Sequence, residues 1–119
     1  MKLTNEQIRT VNNAYVFMNN METSCFIQIC TNLIELEPHA NKVVKFLYAV
    51  AEKTGCLSQD KTQTEFKTEK QKKDFDAQTS KFLSTPVDVK LEVIKKSQLE
   101  GLKIPGSLVM ELVKLKLIV

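Results

Sequence analysis

The chain has no tryptophan, one histidine and only three each of cysteine, glycine and proline among its 119 residues. Each shortage removes a class of chemistry. The single histidine, His39, has no second imidazole with which to build a zinc site or a relay. No Gly-x-Ser-x-Gly or comparable element offers it a nucleophile to activate. Beside Pro38 it reads as a solvated residue at a helix kink. Cys25, Cys30 and Cys56 form an odd set without a Cys-x-x-Cys pair. They are expected as reduced thiols, the first two on a helix as small core fillers. No catalytic residue, cofactor or metal is assigned, and the expectation is that the protein is not an enzyme. Arg9 is the only arginine among 17 cations, so the planar fork that reads phosphates and base edges is nearly missing. No apolar run approaches the ~18 residues of a membrane span. The opening Met-Lys-Leu-Thr-Asn-Glu has neither the apolar stretch nor the cleavage site of a signal peptide. A cytoplasmic protein without membrane contact is expected.

What the chain does have is helical and strand periodicity within the length of one domain. Thr4-Asn5-Glu6-Gln7 is a capping box that opens a helix. Ile8, Val11, Tyr15, Met18 and Met21 follow at spacings of three or four on one stripe. A second helix, capped by Thr23 or Ser24, carries Phe26, Ile27, Ile29, Cys30, Leu33 and Ile34 on a broad apolar face. Pro38 should end or kink it before the pattern resumes through Val43, Val44, Leu47 and Val50 to a C-cap at Gly55. Ser58 to Thr68 is a polar connector, either a mobile loop or a short hairpin or edge strand. Thr68-Glu69-Lys70-Gln71 repeats the capping box and opens a third, mostly solvated helix to about Leu83. Val87 to Ile94 alternates apolar and charged residues, which predicts one half-buried strand with Val87, Val89, Leu91 and Val93 inward. Turns at Ser97 to Gly101 and at Ile104 to Ser107 lead to a last helix. Leu115 to Val119 is left open between helix and extended tail. Such an apolar end must be buried, on the domain's own helices or on another subunit. The fold class is mostly α with a minor β component: residues 1–119 form one compact domain of three to five helices packed with one short strand pairing.

Charge is uneven, with 12 lysines against 8 Asp and Glu from Lys61 onward. Those of the third helix are interleaved with Glu69, Asp74 and Asp76, which cancels much of the field a nucleic acid would need. Nucleic acid is therefore not the expected partner. A protein partner would meet the exposed side of the third helix and its connector: Lys67, Lys70, Lys73, Asp74 and Lys81, with Phe66 as an aromatic anchor.

The opening Met-Lys-Leu-Thr-Asn-Glu-Gln-Ile, the Pro-Val-Asp-Val-Lys-Leu run, Leu99-Glu100-Gly101, Ile104-Pro105 and Leu108-Val-Met-Glu-Leu112 resemble a family of small uncharacterised bacteriophage and prophage proteins. The resemblance implies a helical hairpin, a valine-rich strand, a Leu-Glu-Gly turn, a terminal helix and a mobile-element origin, with no established activity. The expected function is non-enzymatic binding of a host or phage protein, for example an anti-CRISPR-like inhibitor of a host defence nuclease. The alternatives are a virion or assembly component that forms a homo-oligomer through the apolar C-terminus, and a nucleic-acid-binding accessory protein.

Overall fold

Thr4 ends the first strand and opens the first helix. In the computed structural model, which describes residues 1–119, Lys2–Thr4 form β1 and Asn5–Met18 form α1. The capping box closes as its sequence predicts. The Gln7 amide donates to Thr4 Oγ1 at 3.1 Å, and the Thr4 amide donates to Gln7 Oε1 at 2.9 Å. Ile8, Val11, Tyr15 and Met18 are buried, whereas Met21 lies in the turn after the helix.

Helix α2 spans Phe26–Lys53 without a break. Pro38, where the sequence predicts an end or a kink, does not stop it. It sits on the solvent face, where water can serve the Ile34 carbonyl that proline leaves without a donor. His39 is half-buried inside this continuous helix. Neither predicted hydroxyl caps it. Thr23 Oγ1 accepts from the Cys25 amide at 2.9 Å and so shapes the turn before the helix; Cys25 precedes the first helical residue and is not on the helix. The broad apolar face is only half used. Ile29 is buried, but Ile27 and Ile34 are 76% and 75% exposed. At the far end Gly55, at φ +73°, forms a Schellman stop. The Cys56 amide donates to Ala51 O at 2.7 Å and the Gly55 amide to Glu52 O at 3.2 Å.

Glu69–Leu83 form α3. The predicted eight-residue strand is corrected to three residues, Pro86–Asp88 (β2), paired antiparallel with β1 in the register Lys2–Asp88, Leu3–Val87, Thr4–Pro86. Alternation fails beyond Leu91: Val93 faces solvent and Ile94 is fully buried. The reason is a change of partner along the segment. Val89 still bonds Met1, its amide donating to Met1 O at 2.9 Å. At Glu92 the partner is the buried side chain of Asn32, which accepts from the Glu92 amide at 2.6 Å and donates to its carbonyl at 2.9 Å. At Ile94 the partner is the C-terminus: the Ile94 amide donates to Leu117 O and the Val119 amide to Ile94 O, at 2.9 and 3.0 Å, in a parallel bridge. A two-strand ribbon of this size is not stable alone in water. It holds because Leu3 and Val89 are buried in the shared core.

A 3-10 turn, Lys96–Leu99, and α4, Gly106–Lys114, complete the chain. Helix α4 also ends in a Schellman motif, but with Lys116 at φ +60° where α2 has glycine. The Leu117 amide donates to Leu112 O and the Lys116 amide to Val113 O, at 2.9 and 3.0 Å. This reversal drives Leu117 and Ile118 into the core, where they are 1% and 2% exposed. The open question of the tail is thus answered by a turn followed by an extended end. Those two side chains are not available to a second copy. The fold is mostly α with four helices and a two-strand sheet, and no helix is long and apolar enough to cross a membrane.

Candidate functional site

The molecule measures 47 × 27 × 21 Å, and its two ends are built differently. One end holds the main core, shared by α1, the first half of α2, the 86–94 segment, α4 and the tail. The other consists of the second half of α2, the connector and α3, and it carries every residue predicted to meet a partner.

The connector is a small hairpin, the second of its two predicted forms. Leu57 bridges Thr64, the Glu65 amide donates to Cys56 O at 2.6 Å, and the Ser58 amide donates to Gln63 O at 2.8 Å. Asp60 closes its tip. It accepts from the Ser58 and Thr62 hydroxyls at 2.6 and 2.7 Å and from the Thr62 amide at 3.2 Å. These donors favour the carboxylate, the Ser58 hydroxyl most, and hold Asp60 below the usual carboxylate range. Lys61, at φ +60°, turns the chain beside it.

Thr68 caps α3 by accepting from the Gln71 amide at 3.2 Å. The reciprocal arm of the capping box is displaced: Gln71 Oε1 accepts from the Lys67 amide at 2.9 Å. Gln71 Nε2 reaches Gly55 O at 3.4 Å, so one side chain joins the start of α3 to the end of α2. Along α3 only Thr79 is buried; Phe75 and Phe82 are half-buried. Phe82 stacks on Phe46 of α2 at 4.0 Å, and Phe75 meets Phe66 edge to face at 5.4 Å. The C-terminal end is tied to α1, where Asn5 Nδ2 donates to Phe82 O at 2.9 Å.

This inward stripe leaves Lys70, Lys73, Asp74 and Lys81 on the outer side of α3, all exposed. Phe66 and Lys67 lie at its N-terminal rim, around a shallow depression that Lys72 also lines. Phe66 is 41% exposed, with its inner edge held by Phe75. The chain's one ion pair is Arg9–Glu6, at 3.7 Å. No ion pair forms along α3, and its lysines present their charge to solvent.

A second concave feature lies on the core end. Leu99, Leu102, Ile104, Val109, Val113 and Ile118, with Lys96, line a cleft of about 220 Å³ between the 3-10 turn and α4. Sequence reasoning missed it. Leu99, Leu102 and Ile104 fall in turns, where neither helical nor strand periodicity says which way an apolar side chain faces. Their only signal is an apolar residue at every second or third position through a segment rich in turn formers.

Deeper in the core, the Tyr15 hydroxyl is buried without a hydrogen bond of good geometry. Burial pushes its phenol up to about 12, with Asn32 nearby opposing the rise and Cys25 adding to it. Cys25 and Cys56 are buried free thiols, and Cys30 is half-buried with its Sγ 3.6 Å from Asn19 Oδ1. No three His, Cys, Asp or Glu side chains converge as a metal-binding group. Comparison with protein-family models, curated proteins and solved structures finds no match to this chain, so the phage-family resemblance rests on its sequence motifs alone.

Proposed function

We propose that the chain is a non-enzymatic binding protein that captures another protein through the outer face of α3 and the rim of the hairpin. One observation carries this reading: an aromatic ring, Phe66, is 41% exposed and pinned at one edge by Phe75, amid lysines that form no ion pair. A ring already fixed by a neighbour loses little freedom on binding, and aromatic and cationic anchors concentrate interface energy. The interleaved Glu69, Asp74 and Asp76 favour a protein of mixed charge over a polyanion. The sequence resemblance supports a phage or mobile-element source, with a host protein such as a defence nuclease as the target. The virion alternative loses support, because the apolar tail it relied on is largely occupied within this chain.

The test is affinity capture from host lysate, after nuclease treatment and at two salt concentrations, with wild-type chain beside Phe66→Ala and the exposed double variant Lys70→Glu/Lys73→Glu. The expected result is one salt-tolerant protein partner, weakened about tenfold or more by each variant while circular dichroism shows the fold intact. Capture that vanishes with nuclease, or is indifferent to both variants, contradicts the reading.

A further inference from the structure

We propose that the cleft between the 3-10 turn and α4 is a second binding site, one that receives a large apolar side chain carried by an acidic segment of a partner protein. The inference does not rest on the α3 face, which belongs to the other end of the molecule.

The lining is apolar apart from Lys96, and Val113 at its edge is 38% exposed. Next to it Met110, 59% exposed, extends the apolar surface along α4. At about 220 Å³ the cleft falls below the ~300–1,000 Å³ usual for small-molecule pockets, but it suits one Phe- or Leu-sized anchor. Its walls are set before any partner arrives. Ile118 is fixed in the core by the bridge to Ile94, and the Lys96 amide donates to Val119 O at 2.8 Å. A preformed pocket spares the ordering cost of binding.

Charge chooses the occupant. Lys96 lines the cleft, Lys103 lies between lining residues Leu102 and Ile104, and Lys114 follows Val113. Lys95 and Lys116 add to them; Glu100 and Glu111 oppose. None of these lysines is in an ion pair, and the excess is positive. A basic rim around an apolar hole complements a segment with carboxylates on either side of an apolar anchor, and it repels a basic one.

The probe is a short synthetic peptide with one Phe among Glu and Ala residues, compared with the same peptide bearing Lys for Glu and with one bearing Ala for Phe. NMR amide shifts of the full chain report the binding. The expected result is that the acidic Phe peptide shifts Leu99–Ile104 and Val109–Val113. The exposed substitutions Val113→Asp and Lys96→Glu should each weaken it about tenfold, and Lys70→Glu/Lys73→Glu on α3 should leave it unchanged. Equal binding of either control peptide, or shifts that map elsewhere, overturns the proposal. Tighter binding to phosphatidylglycerol vesicles than to the peptide also overturns it, in favour of a lipid surface. Because the α3 variants do not touch this cleft, failure here is distinguishable from failure of the α3 reading.

Discussion

The two ends of the molecule solve the same problem, holding separate stretches of chain together, by opposite means. At the core end, residues far apart in sequence are joined by hydrogen bonds to main chain: Met1 with Val89, the buried Asn32 side chain with Glu92, Ile94 with Leu117 and Val119. At the α3 end the links are mostly local caps and side-chain contacts. These are Thr68 and Gln71 at the helix start, Asp60 at the hairpin tip, and aromatic pairs between. Every residue from Lys61 to Lys70 is exposed, and little apolar surface there opposes opening. Stability should therefore be uneven, with a global unit at one end and a unit that opens locally at the other.

The sharpest way to break that comparison is Asn32→Ala. It removes both bonds to Glu92 and leaves a void at a fully buried position, so it should cost about 3 kcal/mol. Denaturant unfolding should register the loss in the single cooperative transition.

Alkali should act on the same unit with comparable size. The Tyr15 phenol is raised from 10.0 to about 12 in the folded chain, so the unfolded chain gives up its proton first. The stability tied to this group is fully present below pH 10.0 and is lost as pH rises through about 12, a fall of roughly 3 kcal/mol. In Tyr15→Phe the alkaline step should disappear while stability at neutral pH is kept or slightly increased, because an unpartnered buried hydroxyl is removed. Urea titrations across this pH range decide it.

At the other end, Thr68→Ala should cost about 1 kcal/mol through the lost cap. It should speed amide exchange in α3 about fivefold, the factor that 1 kcal/mol gives at 25 °C. Exchange in α3 as slow as that of the Ile94 amide would merge the two units into one.

The smallest effect belongs to Asp60→Asn. The depressed carboxylate stabilises the hairpin above the ordinary aspartate value of 3.8, and that contribution is lost as pH falls through its lower folded value. Amide shifts of Thr62 and Gln63 should show an acid step in the wild type and none in the variant.

The same contrast decides what could be read from the sequence. Local features were legible: the Thr4 box, the Gly55 stop, the Thr68 cap, the sparse stripe of α3 and the exposure of Phe66, Lys67, Lys70, Lys73, Asp74 and Lys81 all follow from residues within a few positions of one another. Val87 to Ile94 was misread in extent because its pattern fits a strand, whereas its real partners are Met1, Asn32 and Leu117. No local rule shows that a buried asparagine replaces a neighbouring strand at Glu92. Pro38 does not end α2 because it lies on the exposed side, and sequence does not say which side of a helix faces water. The cleft at α4 was invisible for a related reason: apolar residues in turns acquire a direction only from the elements that close over them.

Native-state hydrogen exchange tests the central claim, a fixed core end beside an α3 end that opens on its own, most directly. The account predicts that the Val89, Glu92, Ile94 and Val119 amides exchange only through global unfolding, with the full denaturant dependence. The Ser58, Glu65 and Lys72 amides should exchange through openings of lower free energy that denaturant hardly affects. One opening energy and one denaturant slope shared by both sets would contradict it.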